Sequence, residues 1–140
     1  MKPFSFKNVA VTVGGVIMEG FFSGDDVAKA GFNNEMFNLL VGADGEASRS
    51  QTSDRSGILS FKLLPTSNDN AYLAGLHLAD IETGAGVVPV VIKSLDTGVT
   101  CTAGQAWVKK FADLSYGQNV VAREWVFETD RLSIIELPTD

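Results

Sequence analysis

The sequence has very little of the residues that form covalent cross-links and metal sites. Its 140 residues include one cysteine, Cys101, and one histidine, His77. A single cysteine excludes an intrachain disulfide and a cluster of several thiolates on one metal within one chain. We therefore expect a protein that assembles in a reducing cytoplasm, and we expect no metal and no cofactor.

Long apolar runs and clustered basic residues are also missing. No uninterrupted apolar stretch approaches the roughly 20 residues that span a bilayer, and polar residues interrupt the N-terminal MKPFSFKNVAVTVGG. We expect no export signal and no membrane partner. Eleven Lys and Arg against seventeen Asp and Glu give a net charge of −6. This balance argues against a protein that grips nucleic-acid phosphates, because such binding needs clustered cations.

Apolar side chains are plentiful, at 45% of the residues. Together with a mean hydropathy of +0.13, this excludes intrinsic disorder. The chain length is typical of one domain, and no repeat or linker composition divides it. We expect residues 1–140 to form a single domain.

Strand patterns dominate the chain. Gly14 and Gly15 separate two apolar segments and predict a hairpin, and alternation in ILSFKLL predicts a strand with one face on a core. A second hairpin is expected around LDTG, and VVAREWVF is expected to pair with RLSIIEL. Pro89 suggests an edge strand or a bulge. The segment GDDVAKAGFNN resembles a short polar connection. Together these patterns predict seven to nine strands.

One helix is predicted at about residues 68–80. Thr66 and Asp69 resemble a capping box, and Tyr72 and Leu76 fall at helical spacing, although Gly75 costs about 1 kcal/mol relative to alanine in a helix. The predicted fold class is mainly β, a sandwich or barrel of antiparallel strands with one flanking α-helix.

Signatures of an enzyme are weak throughout. His77 lacks a recognisable serine nucleophile, and no G-x-S-x-G sequence is present. Cys101 lies in an alternating strand and is expected to be buried. Five acids could in principle supply paired carboxylates or oxygen ligands for a metal ion: Asp25, Asp26, Glu124, Glu128 and Asp130. Acids on strands and loops are usually solvated, however. We predict that the protein is not an enzyme.

The polar run EASRSQTSDRSG, residues 46–57, is the unusual feature of the sequence. It contains one apolar side chain, Ala47, and directly precedes the apolar strand ILSFKLL. A domain without catalytic chemistry that carries such a segment is expected to function through its surfaces.

The block GADGEASRSQTSDRSGILSFKLLPTSNDNAYLAGL resembles the tail tube proteins of contractile-tailed bacteriophages. The opening FSFKNVAVTVGG and the segment VAREWVF are similar in order and spacing. The resemblance implies six-membered rings that stack into a tube inside a sheath, with strands of adjacent subunits forming a continuous inner barrel. It also implies a location in the virion tail, contacts with tail sheath, tape measure and baseplate proteins, and passage of DNA without specific binding. The inner tubes of type VI secretion systems and R-type pyocins share this fold, so a phage-derived injection device stays open.

Three interpretations of the polar run follow. Residues 42–57 could form the extended tip of a hairpin that contacts a neighbouring subunit or ring. In that case the expected contact residues are Asp44, Glu46, Arg49, Asp54 and Arg55. Of these, Arg49, Asp54 and Arg55 are expected to have no buried role within one subunit. Alternatively, residues 46–53 could form a strand that faces the lumen, or the run could be a mobile surface hairpin. The C-terminal IIELPTD is a further candidate contact with a neighbouring subunit or the sheath.

Two other classes of function remain as alternatives. A β-sandwich module that binds a carbohydrate or another ligand could use Trp107, Trp125 or Tyr116 as a stacking platform. A small hydrolase would depend on His77. Exposed, adjacent indoles would favour the first, and loss of activity on replacement of His77 would favour the second.

Overall fold

A computed structural model describes residues 4–24 and 26–138. In these ranges the chain forms ten β-strands, one α-helix and a short 3₁₀ turn at Phe6–Asn8. The strands are β1 Val9–Val13, β2 Val16–Ile17, β3 Ala28–Phe32, β4 Phe37–Val41, β5 Ala47–Gln51, β6 Gly57–Leu63, β7 Val88–Ser94, β8 Val99–Lys110, β9 Arg123–Thr129 and β10 Leu132–Glu136, and the helix α1 is Asp69–Thr83.

Eight strands form one antiparallel sheet. Its order is β2-β1-β7-β8-β9-β6-β3, with β10 also paired to β8. Val13 of β1 and Phe61 of β6 come from distant parts of this order, yet they belong to one buried cluster. The sheet therefore bends over a single core, which also contains Trp125 and Leu73 of α1. This architecture confirms the predicted mainly β, antiparallel fold class with one flanking helix.

Both predicted hairpins are present. Gly14 and Gly15 have positive φ angles of 59° and 86°, the backbone conformation that glycine adopts without a steric penalty, and they join β1 to β2. The second hairpin joins β7 to β8. The register between these strands shifts at Val88/Val90, so Pro89 lies at a bulge in an interior strand, one of the two positions expected of it.

Two predicted connections are wrong. The segment described as a short polar connection contains β3, which pairs with β6 along its whole length. Its core-facing residues Ala28 and Ala30 are small, so the alternation is faint in the sequence. The last strand, β10, pairs with β8 rather than with β9. Strands β9 and β10 lie end to end along β8, because β9 bonds to Ala106–Lys110 and β10 to Val99–Ala103.

Helix α1 begins one residue later and ends three residues later than predicted. Gly84 ends it in the left-handed conformation, with φ 73°, as helix C-caps commonly do. The predicted capping box does not form. The Asp69 carboxylate accepts a hydrogen bond from the Glu19 amide at 2.6 Å, while Ser67 Oγ accepts one from the Asp69 amide. The Asp69 carboxylate, which a capping box would use locally, thus makes a tertiary contact with Glu19 instead.

Candidate assembly interface

The polar run lies in a two-stranded hairpin that stands apart from the main sheet. Strands β4 and β5 pair with each other from Phe37↔Gln51 to Val41↔Ala47. Every residue of both strands is exposed. Isolated two-stranded ribbons are at best marginally stable in water, so a hairpin of this kind points to a partner outside the single chain.

The two faces of this hairpin differ in chemistry. Directly paired residues of an antiparallel ladder share a face, and the face alternates along each strand. From the register, we define the apolar face as Phe37, Leu39, Val41, Ala47, Arg49 and Gln51, and the polar face as Asn38, Leu40, Ser48 and Ser50. The apolar face carries three large exposed hydrophobic side chains. Only its arginine is charged.

Arg49 lies on the apolar face, packed on Phe37. Its guanidinium carbon is 4.4 Å from the centre of the Phe37 ring, a cation–π distance. The stem of the arginine therefore extends the apolar surface. This placement keeps the guanidinium off the polar face.

Asp44 and Glu46 lie at the tip of the hairpin. Gly42 donates its amide to the Glu46 carbonyl at 2.7 Å, and Asp44 Oδ1 accepts a hydrogen bond from the Glu46 amide at 3.1 Å. Gly45, with φ 85°, makes the reversal. The tip is thus a compact turn that carries two carboxylates into solvent.

Asp54 lies at the base of the hairpin and binds within its own chain. One carboxylate oxygen accepts a hydrogen bond from Asn34 Nδ2 at 2.6 Å, and the other accepts one from the Ser56 amide at 2.9 Å. These bonds lower the pKa of Asp54, and the bond from the Ser56 amide has the largest effect. Asp54 is exposed, in keeping with the expectation that it has no buried role, but its carboxylate makes hydrogen bonds within its own chain. The carboxylate links the segment entering the hairpin to the segment leaving it.

Arg55 also belongs to the base. Its carbonyl accepts a hydrogen bond from the Leu132 amide at 2.9 Å, and it forms an isolated parallel bridge with Arg131. The Arg55 side chain is exposed. The backbone of the hairpin base is thereby joined to the start of β10.

Each of the first two interpretations of the polar run describes part of this arrangement. The run is half of a hairpin, but the hairpin spans residues 37–51, and its tip is residues 42–46 rather than 42–57. Residues 47–51 form a strand, as the lumen-facing interpretation expects. The side chains of this strand alternate between the polar and the apolar face of the hairpin. The polar composition of the run therefore does not indicate which side chains lie on which face.

The main sheet also offers unpaired strand edges. Within the described residues, β3 pairs only with β6 and β10 pairs only with β8. Ile135 of β10 and Leu137 after it are exposed. Thr139 and Asp140, which end the candidate segment IIELPTD, lie outside the described residues. Exposed edges are templates for pairing with another chain.

The aromatic platform of a ligand-binding module is not present in this arrangement. Trp125 is fully buried, and its indole nitrogen donates a hydrogen bond to Asn70 Oδ1 at 2.8 Å. Trp107 is half-buried on β8, and Tyr116 is 89% exposed in the loop after that strand. The buried Trp125 cannot stack on a ligand.

The residues weighed for catalysis have ordinary surroundings. The His77 ring packs on Phe111 at 5.5 Å between centres. Cys101 is buried, and burial raises the pKa of its thiol, with a further contribution from Glu136. No group of three potential metal-ligating side chains occurs among residues 4–24 and 26–138, and Asp25 lies outside that range. No helix in the described part of the chain could span a membrane.

The apolar face of the hairpin is hard to recognise from the sequence. Phe37, Leu39 and Val41 alternate with Asn38 and Leu40, a weak period of two within EMFNLLV. The register across the hairpin, which the sequence does not give, is what places these side chains on one face with Arg49.

An open apolar cavity was also missed. It has a volume of about 950 Å³ and lies where β1, β7 and β8 face the segment before β3. Its lining includes the charged residues Lys7 and Asp26 and the apolar residues Phe6, Val9, Phe21, Ala28, Ile92 and Val99. These residues are scattered over more than ninety positions, so no local pattern reveals them.

Comparisons with known proteins agree with this architecture. No curated protein matches the chain. Among solved structures, the tube-terminating cap of the anti-feeding prophage is similar, with a TM-score of 0.61 and 13% identity over 98% of this chain and 93% of that one. The sheath/tube terminator of an extracellular contractile injection system, PVC, in its extended state gives a TM-score of 0.62 at 13% identity, over 96% of this chain and 98% of that one.

A subunit in the extended sheath–tube complex of the same injection system, PVC, is also similar, with a TM-score of 0.61 and 12% identity over 96% of this chain and 93% of that one. At such identities these likenesses show the fold alone. The family assignment comes from the sequence, because the model of the family described as Bacteriophage PhiTE tail tube protein matches residues 1–136. The chain belongs to this tail tube family.

Proposed function

We propose that this structural tail tube protein assembles into six-membered rings, which stack into the inner tube of a contractile tail. The observation that supports the proposal most directly is the hairpin Phe37–Gln51. It exposes an apolar face, held out from the core by a hydrogen-bonded base. Monomeric proteins rarely expose contiguous apolar surfaces of this kind unless a partner covers them.

Unpaired strand edges support the closure of a ring. Heterologous contacts, in which one surface meets a different surface of the next copy, close into rings when the rotation allows it. Pairing between the edge strands of adjacent subunits would remove the exposed edges and continue the sheet around the ring. Strands β3 and β10 are the candidate edges.

Charge and surface chemistry fit a conduit for DNA. The polar face of the hairpin presents the neutral side chains Asn38, Ser48 and Ser50 beside Leu40 and no cation. A wall of this kind, in a protein with a net charge of −6, would let DNA pass without holding its phosphates. We propose that the polar face borders the lumen, through which DNA and the tape measure protein pass.

A location in a contractile tail would imply further partners. The tube would lie inside a tail sheath and end on baseplate proteins, in a virion assembled in the bacterial cytoplasm. Asp44, Glu46, Arg49 and Arg55 are proposed as contacts between subunits or rings. Asp54 would contribute to these contacts mainly by fixing the base of the hairpin.

Electron microscopy of the purified protein, with two matched variants, tests the proposal. Leu39 and Leu40 are adjacent, are 71% and 72% exposed, and lie on opposite faces. Burial of a leucine contributes about 1.5–3 kcal/mol. Leu39→Asn should therefore raise the protein concentration needed for tube growth by roughly 10- to 100-fold, and Leu40→Asn should leave it near that of the wild type.

Rings with six-fold class averages and tubes of uniform diameter are the expected result for the wild type. A wild-type protein that stays monomeric at high concentration would contradict the proposal of tube assembly. Equal effects of the two substitutions would contradict the assignment of the faces.

A further inference from the structure

We propose that a small cavity under the loop between β8 and β9 binds an inorganic oxyanion, phosphate, and that Arg123 holds it. Residues 111–122 join the two strands without regular secondary structure. Loops of about a dozen residues or more that lack such structure are uncommon and are usually functional. The site is separate from the hairpin, and its occupancy does not depend on the proposed tube.

The side chain of Arg123, the first residue of β9, lies between two aromatic rings. Its guanidinium carbon is 5.4 Å from the centre of the Phe111 ring and 5.1 Å from that of Trp125, both cation–π distances. Nη2 donates a hydrogen bond to the Ala112 carbonyl at 3.2 Å. Nε is buried and has no hydrogen-bond partner in the described part of the chain. The guanidinium is therefore held in place while part of its donor capacity is unused.

The positive charge of Arg123 also lacks a counter-ion. Neither of the ion pairs among the described residues includes it. Asp113 is the single acid of the loop, but its carboxylate lies 3.6 Å from Lys110 Nζ, and its side chain is 84% exposed. Charges that are removed from water are normally paired. An anion from solution would supply the missing charge.

The cavity beside Arg123 has a size and a lining that suit a small oxyanion. Its volume is about 100 Å³, enough for a few water molecules at about 30 Å³ each. Ser115 and Tyr116, which carry hydroxyl groups, line it together with Pro65 and Val121. The planar fork of an arginine matches the oxygens of phosphate, and hydroxyl groups can donate to them. A free phosphate ion fits this space, whereas a phosphodiester carries two further groups that it cannot hold.

Binding at this site would order the loop. Leu114, Tyr116 and Val120 are largely exposed, so the loop buries little apolar surface within the single chain. The hydrogen bond from Arg123 to Ala112 holds the start of the loop. An anion between Arg123 and residues 115–116 would hold its middle, and it would thus act as a structural ligand of the free chain.

A titration with inorganic phosphate, followed by the amide resonances of the monomeric Leu39→Asn variant, tests the binding. Chloride replaces phosphate in the reference samples, which keeps the ionic strength constant. The amides of residues 112–123 should shift along a saturable curve, and those of β6 should stay unchanged. Shifts that are absent, or that grow linearly without saturation, would overturn the proposed site.

A pair of variants tests the role of Arg123. Arg123→Met removes the charge and keeps an unbranched stem between the two rings. Arg131→Met is the matched control, because Arg131 is exposed in the turn after β9. Phosphate also stabilises proteins in general through exclusion from their surfaces, so the informative quantity is the difference between the variants.

Phosphate at about ten times its Kd should raise the Tm of Arg131→Met by roughly 3–6 °C more than that of Arg123→Met. Equal increases would overturn the assignment of Arg123. Arg123→Lys keeps the charge without the planar fork and provides the comparison if Arg123→Met does not fold. It should bind phosphate more weakly than the control, and an unchanged Kd would equally overturn the assignment.

A short single-stranded oligothymidylate separates the two sources of phosphate groups. Its phosphodiesters are too large for the cavity, so the amides of residues 112–123 should not respond to it. If the oligonucleotide shifts these amides as strongly as inorganic phosphate does, the ligand is a nucleic-acid backbone, and the assignment to a free ion is wrong. None of these measurements requires tubes, so a failure of the proposed assembly would be seen separately.

Discussion

At the scale of single residues, Asp54 shows how an exposed charge can act as a structural element. Its carboxylate accepts hydrogen bonds from Asn34 and from the Ser56 amide, and it thereby holds together the two segments at the base of the hairpin. The bonds favour the ionised form, which is why they lower the pKa. The Asp54 carboxylate is thus one of several contacts across the base, beside the hydrogen bonds that Asn33 donates to Ser56.

A titration of Asp54 is the first prediction. A carboxyl whose pKa is depressed on folding stabilises the folded base above its unfolded pKa, and this stabilisation is lost as the pH falls through the folded value. We expect the Ser56 amide resonance of the monomeric Leu39→Asn variant to titrate with a midpoint below 3.8, the ordinary value. Asp54→Asn is the control and should abolish the transition. A midpoint at or above 3.8 would contradict the described hydrogen bonds.

Trp125 is the second residue that carries a prediction. Its indole N–H satisfies the buried oxygen of Asn70, whose nitrogen donates to the Leu64 and Ser67 carbonyls. Trp125→Phe leaves that oxygen without a donor. A buried unsatisfied polar group costs about 1–3 kcal/mol, so we expect the free energy of unfolding in urea to fall by at least this amount.

Trp107→Phe is the matched control for Trp125→Phe. Trp107 is half-buried, so its replacement should lower the free energy of unfolding less. Measurements on monomeric protein, below the concentration for tube growth, keep assembly out of the comparison. Equal losses for the two variants would mean that the hydrogen bond to Asn70 contributes little.

At the scale of elements, helix α1 provides a pair of glycines with opposite expectations. A methyl group added at Gly75 or at Gly84 meets no atom within 4 Å, so packing does not distinguish them. Gly75 lies in the helix interior, where alanine is favoured by about 1 kcal/mol. Gly84 has φ 73°, where alanine is strained by about 1 kcal/mol.

We therefore expect Gly75→Ala to raise and Gly84→Ala to lower the free energy of unfolding, each by up to about 1 kcal/mol. Chemical denaturation of the monomeric proteins measures both changes. Two shifts of the same sign would contradict the described end of the helix, since only the backbone conformation separates the two sites.

At the scale of the whole molecule, the hairpin and the core should respond differently to assembly. Amide exchange slows where opening becomes costly. Residues 37–51 have an exposed ladder in the single chain, so their exchange should slow by at least tenfold in tubes. Strand β6, in the interior of the sheet, should change much less. Mass spectrometry after exchange of monomer and tube measures both regions, and equal protection of 37–51 in the two states would contradict a buried hairpin.

Much of the fold could be predicted because it depends on local patterns. The turn at Gly14 and Gly15, the alternation of β6 and the glycine end of α1 are each encoded within a few residues. The partner of β10 could not be predicted in this way. Strands β9 and β10 are close in sequence and look like a hairpin, but β8 is long enough to pair with both end to end. Only the register of a distant strand excludes the hairpin.

The candidate site could also be predicted only where it depends on local patterns. The run of polar residues correctly indicated a segment outside the core, and the structure places its turn at Asp44–Gly45. The use of Asp54 within the subunit was not predicted, because it depends on Asn34, twenty positions earlier. The expectation of a structural protein rather than an enzyme agrees with the tail tube family.

The sequence by itself determined the mainly β class, the single helix and the resemblance to tail tube proteins, since composition, periodicity and turn residues are local properties of the chain. The tertiary structure decided which side chains share a surface. Phe37, Leu39 and Arg49 form one face because of cross-strand register, and Val9, Ala28 and Ile92 line one cavity because the sheet bends over its core. Register and bending are set by contacts between distant residues, which no local pattern in the sequence specifies.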